Sequence, residues 1–390
     1  MAAGNALHAK EDRRLNLFSG GERVDFPFFV ILLSLLLVGL VMLYSASYAQ
    51  SEYDTGYTVS TRYLQKQAAC AVIGLIVMYL LSRVPPSLWL RMAWILYGIS
   101  ILLLLSVLVF GQSVNGARRW INIAGLQFQP SEIAKFTMIL LFARLTLGFG
   151  SDVRKFRYGV LGYGCALMGI LIPLALEKHL SAIMLMGMVA VVMMFVAGTH
   201  PKWLLAGAVV AVVFLVVYIS FMGYAGDRVT AWLHPEEDPG DTGYQILQSL
   251  YAIGSGGRFG LGLGKSRQKY LYLPFQYNDY IFAIICEELG LVGALLIICL
   301  FGVLILRGYW IALRAPDRFS TVLCAGLVTL IAVQTILNLF VVTNMLPSTG
   351  IALPFFSYGG TALVVNLAEM GIVLSISRYR DRAARQEVIS

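Results

Sequence analysis

Apolar runs long enough to cross a membrane recur along the whole length of this chain. Each contains roughly 18 or more mostly apolar residues, which is the length a helix needs to span a hydrocarbon core about 30 Å thick. Of the 390 residues, 58% are hydrophobic and only 13% are charged, a composition that excludes an ordinary soluble domain. The sequence therefore predicts an all-α polytopic membrane protein.

We predict ten membrane spans. They cover residues 27–48, 66–83, 88–110, 130–148, 157–175, 180–198, 202–222, 279–306, 319–342 and 355–377. A tail of residues 1–26 precedes this membrane domain of residues 27–377, and a tail of residues 378–390 follows it. An even number of spans places both termini on the same side of the membrane.

The positive charge of the chain indicates which side that is. Most of the 29 Lys and Arg residues fall in the tails and in alternate short loops, and short loops rich in these residues stay in the cytoplasm. Both termini are therefore predicted to be cytoplasmic, and residues 223–278 to form a large extracellular loop between the seventh and eighth spans. The net charge of +8 then reflects topology and contact with anionic membrane lipid, and no nucleic-acid partner is expected.

Asp279 follows this polar, glycine-rich segment directly, where the sequence turns apolar again. Its neighbours Tyr277, Asn278 and Tyr280 predict a partly desolvated site. Desolvation raises the pKa of a carboxyl group and suits it to accept a proton near neutral pH. The alternative is that Asp279 is the N-cap of the following helix, since aspartate before an apolar helix is the usual cap signal. The two roles are compatible.

Four basic residues lie within the glycine-rich part of the same segment: Arg258, Lys265, Arg267 and Lys269. Glycines let backbone N–H groups approach an anion, and the cations supply charge for a phosphate or pyrophosphate. The alternative interpretation is a flexible, solvated loop.

Further ionisable residues lie between residues 115 and 135. Arg118 and Arg119 beside Trp120 are typical of an interfacial anchor. Glu132 and Lys135 lie inside the fourth predicted span, where ionisable residues commonly face a cavity or pair with each other. Their i, i+3 spacing fits a structural ion pair, and contact with a substrate fits equally well.

Taken together, the motifs NGARRWI, QPSEIAK, GYQILQSLYAIGSGGRFGLGLGKSRQKYLYLP, DYIFAIICEELG and LPSTGIALPFFSYGG resemble those of one family. This is the SEDS family of polytopic bacterial glycosyltransferases (FtsW, RodA and SpoVE). The residues of these motifs are more similar to those of its FtsW/SpoVE branch. The resemblance extends from about residue 25 to residue 380 in consistent order.

The resemblance implies a peptidoglycan glycosyltransferase that polymerises lipid II at the outer face of the bacterial cytoplasmic membrane, for cell division or sporulation. It implies Asp279 as the catalytic base, inversion at the MurNAc anomeric carbon and release of undecaprenyl pyrophosphate. Candidates for substrate binding are Arg118, Arg119, Glu132, Lys135, Lys265, Arg267, Lys269 and Ser357. A divalent cation (Mg or Mn) is expected, with no organic cofactor. A class B penicillin-binding protein and other divisome or elongasome membrane proteins are the expected partners.

The chain departs from the family pattern at two places. Phe275 and Tyr277 replace a family acid and histidine, and His179 replaces the aspartate of a turn that here reads EKHLSA. No catalytic role is carried over to that turn. Two other functions stay open at this point: a lipid II flippase without chemistry, and a scaffold that only recruits a transpeptidase.

Overall fold

A computed structural model describes residues 24–114, 117–123, 126–207, 209, 223–237 and 242–389. Within this part of the chain, eight helical segments are long and apolar enough to cross a membrane. The predicted helical membrane fold is therefore confirmed, and the protein is a multi-pass membrane protein.

The secondary structure follows the chain in a simple order. The helices are α1 (Phe26–Asp54), α2 (Arg62–Leu81), α3 (Pro86–Phe110), α4 (Pro130–Phe149), α5 (Tyr163–Leu176), α6 (Leu180–Val196), α7 (Gly223–Leu233), α8 (Thr242–Gly256), α9 (Ile281–Leu313), α10 (Arg318–Val342) and α11 (Gly360–Ile389). The strands are β1 (Gln112–Val114), β2 (Ala117–Ile123) and β3 (Leu126–Phe128). A 3-10 turn and a π-helical turn, Gly150–Arg154 and Arg157–Gly162, connect α4 to α5.

Helix α10 lies at the centre of the bundle. Most of its side chains are buried, and it packs against α4, α6 and α9. Helices α2 and α3, by contrast, keep many large apolar side chains on the outside, where the lipid would lie. The core therefore forms around α10 and the inner faces of its neighbours.

Most predicted spans coincide with these helices, but three differ from the prediction in part or lie outside the described residues. The seventh, 202–222, lies for the most part outside the described residues. The sixth corresponds to α6, whose 17 residues are slightly fewer than a full span needs. The tenth was predicted to begin at residue 355, whereas α11 begins at Gly360.

The late start of α11 has a packing cause. Phe355 has a positive φ of 66°, so the chain turns there instead of entering a helix. Its carbonyl oxygen lies against α1 at Gly39, where an added Cβ would come within 2.4 Å of it. Gly39 thus permits a close backbone approach that the length of an apolar run does not reveal. After Gly360 the helix continues to Ile389, so residues predicted as a C-terminal tail extend α11.

Strands β1, β2 and β3 form a small antiparallel sheet with the order β1-β2-β3. Ser113 lies opposite Arg118, and Ile121 lies opposite Phe128. These strands lie between the third and fourth predicted spans, and the sheet itself was not predicted. It brings Arg119 to the end of the bundle where α4 begins.

The segment 223–278, predicted as a large loop, contains α7 and α8 and then folds back on α9. Helix α9 is kinked at Gly290, whose φ is 66°. The kink frees the carbonyl groups of Glu287 and Glu288, which accept hydrogen bonds from the backbone of Leu261 and Gly262 at 2.9 and 3.0 Å. A Cβ on Gly290 would lie 2.2 Å from the backbone nitrogen of Gly260. The glycine-rich sequence therefore allows its backbone to pack closely against the backbone of α9.

Candidate functional site

A cavity of about 800 Å³ opens at the end of the bundle where α4, α6 and α11 begin and α10 ends. Its walls come from β2, these helices, α7, α8, the turn between α5 and α6, and the segments before α9 and α11. Its charged lining residues are Arg119, Glu132, Lys135, Lys178, Arg228 and Asp279. Four cationic side chains against two acidic ones make the cavity suitable for an anionic ligand.

Asp279 occupies the cavity wall immediately before α9. The backbone carbonyl of Asp279 accepts a hydrogen bond from the side-chain amide of Asn338 on α10 at 2.7 Å. The same amide donates to the carbonyl of Ile351 at 2.8 Å. Asn338 thereby joins the residue before α9 to the segment before α11, and it fixes the backbone from which the carboxyl group extends.

Ser357 holds the neighbouring residue. Its hydroxyl donates to the carbonyl of Asn278 at 2.6 Å and accepts from the backbone N–H of Leu353 at 2.8 Å. Ser357 lines the cavity, as expected for a substrate-binding candidate, but its hydroxyl is already engaged within the protein. Its observed contacts are those of a residue that positions the Asn278–Asp279 backbone.

The N-cap alternative for Asp279 is wrong. Helix α9 begins at Ile281 with Tyr280 as the N-cap residue, and no side chain caps it. The carboxyl group instead lies against Gly350, since a Cβ added there would be 3.1 Å from Asp279 Oδ2. Gly350 has a φ of 68°, so this close approach and the backbone conformation both favour glycine.

Burial raises the pKa of Asp279 to about 6, while the nearby Arg228 and Arg119 guanidinium groups oppose this shift. A carboxyl group with such a pKa is largely ionised at neutral pH and still basic enough to accept a proton. The desolvated aromatic setting expected from the sequence is therefore present, and the structure adds two opposing cations.

Those cations reach the cavity from distant parts of the chain. Arg119 comes from β2 and donates to the backbone carbonyl of Lys178 at 2.6 Å. Arg228 comes from α7 and donates to the carbonyl of Ser348 at 2.9 Å. Sequence reasoning missed Arg228, because a single arginine in a polar segment carries no local signal. It also missed Asn338 and Gly350 as residues that shape the site.

Glu132 and Lys135 form a buried ion pair with an N–O distance of 2.7 Å on the first turns of α4. Both residues also line the cavity. The placement is that of a structural ion pair, and because both residues line the cavity it is also compatible with the other interpretation, contact with a substrate.

Four other predicted binding residues do not line this cavity: Arg118, Lys265, Arg267 and Lys269. Arg118 is exposed and donates to the carbonyl of Leu108 at 3.0 Å. Lys265 and Arg267 are exposed, and Lys269 is buried in an ion pair with Glu288 at 3.0 Å. The interpretation of this glycine-rich basic cluster as an anion cradle is not supported, because backbone N–H groups of Leu261, Gly262 and Arg267 are used within the protein.

The turn between α5 and α6 contributes to the cavity wall. Glu177 is buried, and burial raises its pKa to about 8 against the opposing charge of Arg119. Lys178 and His179 line the cavity. Glu177 and His179 are therefore both buried at this turn, and the sheet residue Arg119 contacts the turn through the carbonyl of Lys178.

The expected divalent cation finds no preformed protein site in the described residues, where no three His, Cys, Asp or Glu side chains are grouped to hold a metal. Of the two carboxylates that line the cavity, Glu132 is paired with Lys135. A cation of the Mg²⁺ class commonly uses one or two carboxylates together with substrate phosphates.

The chain matches the FtsW/RodA/SpoVE family, described as cell cycle proteins, over residues 26–382. It is 39% identical to a probable peptidoglycan glycosyltransferase FtsW of Geobacter sulfurreducens, over 91% of this chain and 95% of that protein. It is also 39% identical to stage V sporulation protein E of Bacillus subtilis, over 91% of this chain and 97% of that protein.

Among solved structures, a chain from a study of polymerisation and crosslinking by a peptidoglycan synthase complex superposes with a TM-score of 0.77. That chain is 29% identical, and the match covers 92% of this chain and 98% of that one. The sequence and the three-dimensional arrangement thus agree over nearly the whole length. The protein therefore belongs to the FtsW/RodA/SpoVE (SEDS) family.

Proposed function

We propose that this protein is a peptidoglycan glycosyltransferase that polymerises lipid II at the outer face of the bacterial cytoplasmic membrane. The observation that carries the proposal is the placement of Asp279 in a cationic cavity, with a pKa raised by burial to about 6. The relatives named as peptidoglycan glycosyltransferases support the same activity.

In the proposed reaction, Asp279 accepts the proton of the acceptor GlcNAc 4-hydroxyl. The oxygen attacks the anomeric carbon of the donor MurNAc from the face opposite the pyrophosphate, so the configuration inverts. The bond from that carbon to the pyrophosphate oxygen breaks, and undecaprenyl pyrophosphate leaves with the bonding electrons. General base catalysis of this kind contributes about 10²–10⁴-fold to a rate.

The cationic residues of the cavity suit the leaving group. Arg119, Lys178 and Arg228 line the same cavity as Asp279 and would stabilise the charge that develops on the pyrophosphate. An arginine guanidinium group additionally matches a phosphate with two parallel hydrogen bonds. These residues take over the role that the sequence suggested for Lys265, Arg267 and Lys269.

A divalent cation, Mg²⁺ or Mn²⁺, remains part of the proposal. It would arrive with the substrate, whose pyrophosphate oxygens supply most of its ligands, and it would neutralise part of their charge. Removal of the metal with EDTA, followed by re-addition of Mg²⁺ or Mn²⁺, tests this point.

A class B penicillin-binding protein is the proposed partner, because a structural relative comes from a peptidoglycan synthase complex. Cell division or sporulation is the proposed setting, in line with the names of the relatives. Co-purification of the two proteins from membranes tests the partnership.

The decisive experiment uses the purified protein with its partner and fluorescent lipid II. Wild type is expected to form glycan strands, and Asp279→Ala to lose them by at least about 100-fold. Asp152→Asn is a matched control, because that carboxylate lies in an exposed ion pair away from the cavity. Retained polymerisation by Asp279→Ala contradicts the assignment of the base. Transfer of labelled lipid II across vesicles without any polymer favours the flippase instead.

A further inference from the structure

His179 is a polar residue of the cavity wall that the proposed reaction does not use. Only 8% of its surface is exposed, and it contributes to the cavity lining. Its Nδ1 atom is buried, and among the described residues it has no hydrogen-bond partner. Buried polar groups in native structures are nearly always paired, so an unpaired imidazole nitrogen in a residue that lines a cavity indicates a missing partner.

The backbone around His179 is held firmly. Its own N–H donates to the carbonyl of Leu174 at 2.9 Å, and its carbonyl accepts from Ile183 at 3.2 Å. Arg119 fixes the preceding residue through the carbonyl of Lys178. The imidazole therefore projects from a rigid turn, which is the condition for selective hydrogen bonding to a ligand.

Two contacts place His179 on the part of the wall that adjoins Asp279. Ser181, two residues after His179, donates a hydrogen bond to the carbonyl of Thr349. The next residue, Gly350, is the one against which the Asp279 carboxyl group lies. Arg119 acts on both groups, since its charge lowers the pKa of His179 and of Asp279.

His179 is electrically neutral in this setting. Burial, assisted by the charges of Arg119 and Lys135, lowers the pKa of His179 to about 3. A neutral imidazole has one nitrogen that donates and one that accepts. A hydroxyl group can do either, so it complements the ring in both tautomers, whereas a phosphate can only accept.

Gln334 is a second neutral polar residue of the cavity wall. It lies on α10 one turn before Asn338, is 5% exposed and lines the cavity. Its Oε1 atom also has no hydrogen-bond partner in the part of the chain that the structure describes. The cavity wall thus presents cationic residues, among them Arg119 and Arg228, together with the neutral polar residues His179 and Gln334.

We propose that His179 is a specificity-determining residue that hydrogen bonds a hydroxyl or acetamido group of an amino sugar bound beside Asp279. Gln334 provides a second neutral contact to the same sugar. This inference rests on the proposed function for the identity of the substrate. It goes further by assigning the neutral polar residues of the cavity wall to recognition of the sugar.

The test measures binding separately from turnover. Full-length protein in nanodiscs, carrying Asp279→Asn to prevent reaction, is titrated with lipid II and with undecaprenyl pyrophosphate, which has no sugar. His179→Phe keeps a ring of similar size and removes its hydrogen bonds. It is expected to weaken lipid II binding about tenfold, the effect of one hydrogen bond, and to leave undecaprenyl pyrophosphate binding unchanged.

Further variants distinguish a role of His179 in ligand recognition from a role in the stability of the fold. His179→Asn retains a hydrogen-bonding side chain and is expected to recover most of the lost lipid II affinity. His200→Phe, at an exposed histidine away from the cavity, is the matched control and should change neither affinity. In otherwise wild-type protein, His179→Phe should raise KM about tenfold and change kcat less than twofold.

Three outcomes overturn the inference: no loss of lipid II affinity, equal loss for both ligands, or loss of kcat with unchanged KM. Equal loss would indicate a structural role for His179, which a lower melting temperature would corroborate. Failure of the proposed function is distinguishable, because wild-type protein would then form no polymer whatever the His179 variants bind.

Discussion

Lys269 Nζ lies 3.0 Å from Glu288 Oε1, and this ion pair is almost completely buried between the glycine-rich segment and α9. The ammonium group also donates to the carbonyl of Gly264 at 2.5 Å and to the hydroxyl of Ser45 on α1 at 3.2 Å. The adjacent Glu287 accepts the backbone N–H of Arg267 at 2.9 Å. The two glutamates therefore anchor the segment that leads to Asp279.

Removal of Lys269 should destabilise the protein strongly. Lys269→Met leaves the Glu288 carboxylate buried without its cation, which costs about 3–5 kcal/mol for pairs of this kind. Thermal unfolding in detergent is expected to show a clear fall in melting temperature. Glu288→Leu added to Lys269→Met should recover part of it, and exposed Lys265→Met is the control. A melting temperature unchanged in Lys269→Met would contradict an anchoring role.

The rate of polymerisation should depend on pH through Asp279. As a base, Asp279 must be ionised before the reaction, and its pKa is raised to about 6. We therefore expect kcat/KM to fall about tenfold per pH unit below about pH 6 and to level off above it. Arg228→Gln removes a cation that favours the ionised form, so the midpoint should move to higher pH. A midpoint that stays near the ordinary value for aspartate would argue against the buried setting.

Substitution of Gly350 should impair catalysis more than it impairs folding. Gly350→Ala places a Cβ about 3.1 Å from Asp279 Oδ2 in a backbone conformation with φ of 68°. Gly56→Ala is a matched control, because Gly56 has a φ of 61° and no neighbouring atom within 4 Å. Both variants carry backbone strain of about 1–2 kcal/mol. Only Gly350→Ala should lower kcat several-fold in the lipid II assay; equal kcat in the two variants would exclude steric displacement of Asp279.

The stability of the protein should depend on pH through Glu177. Its pKa is raised by burial from an ordinary value of 4.5 to about 8, so the folded state holds a proton that the unfolded state releases. Stability is then complete below about pH 4.5 and falls as the pH rises to about 8. Glu177→Gln removes this dependence, and its melting temperature relative to wild type should rise between pH 6 and pH 9. A difference that stays constant across this range would be inconsistent with a protonated, buried Glu177.

Hydropathy predicted the helices well where a span is a continuous apolar run. The boundaries of α3 and α10 match because lipid-facing and core-facing positions are both apolar, so the length of the run equals the length of the helix. The start of α11 was misplaced because Phe355 and Phe356 are apolar yet belong to a turn packed against Gly39. The small sheet was missed because β1 and β3 have only three residues each and β2 contains two adjacent arginines, so none shows a sustained alternation of apolar and polar residues.

The amino-acid sequence by itself determined the helical membrane fold, the family and the prominence of Asp279. These depend on local properties: the length of apolar runs, and an acid placed where polar sequence meets apolar sequence. Only the tertiary structure decided which cations belong to the site. Arg228 and Arg119 arrive from α7 and β2, whereas Lys269, much nearer in sequence, turns away to neutralise Glu288. The physical reason is that a buried charge requires a compensating partner in space, and proximity along the chain does not specify that partner.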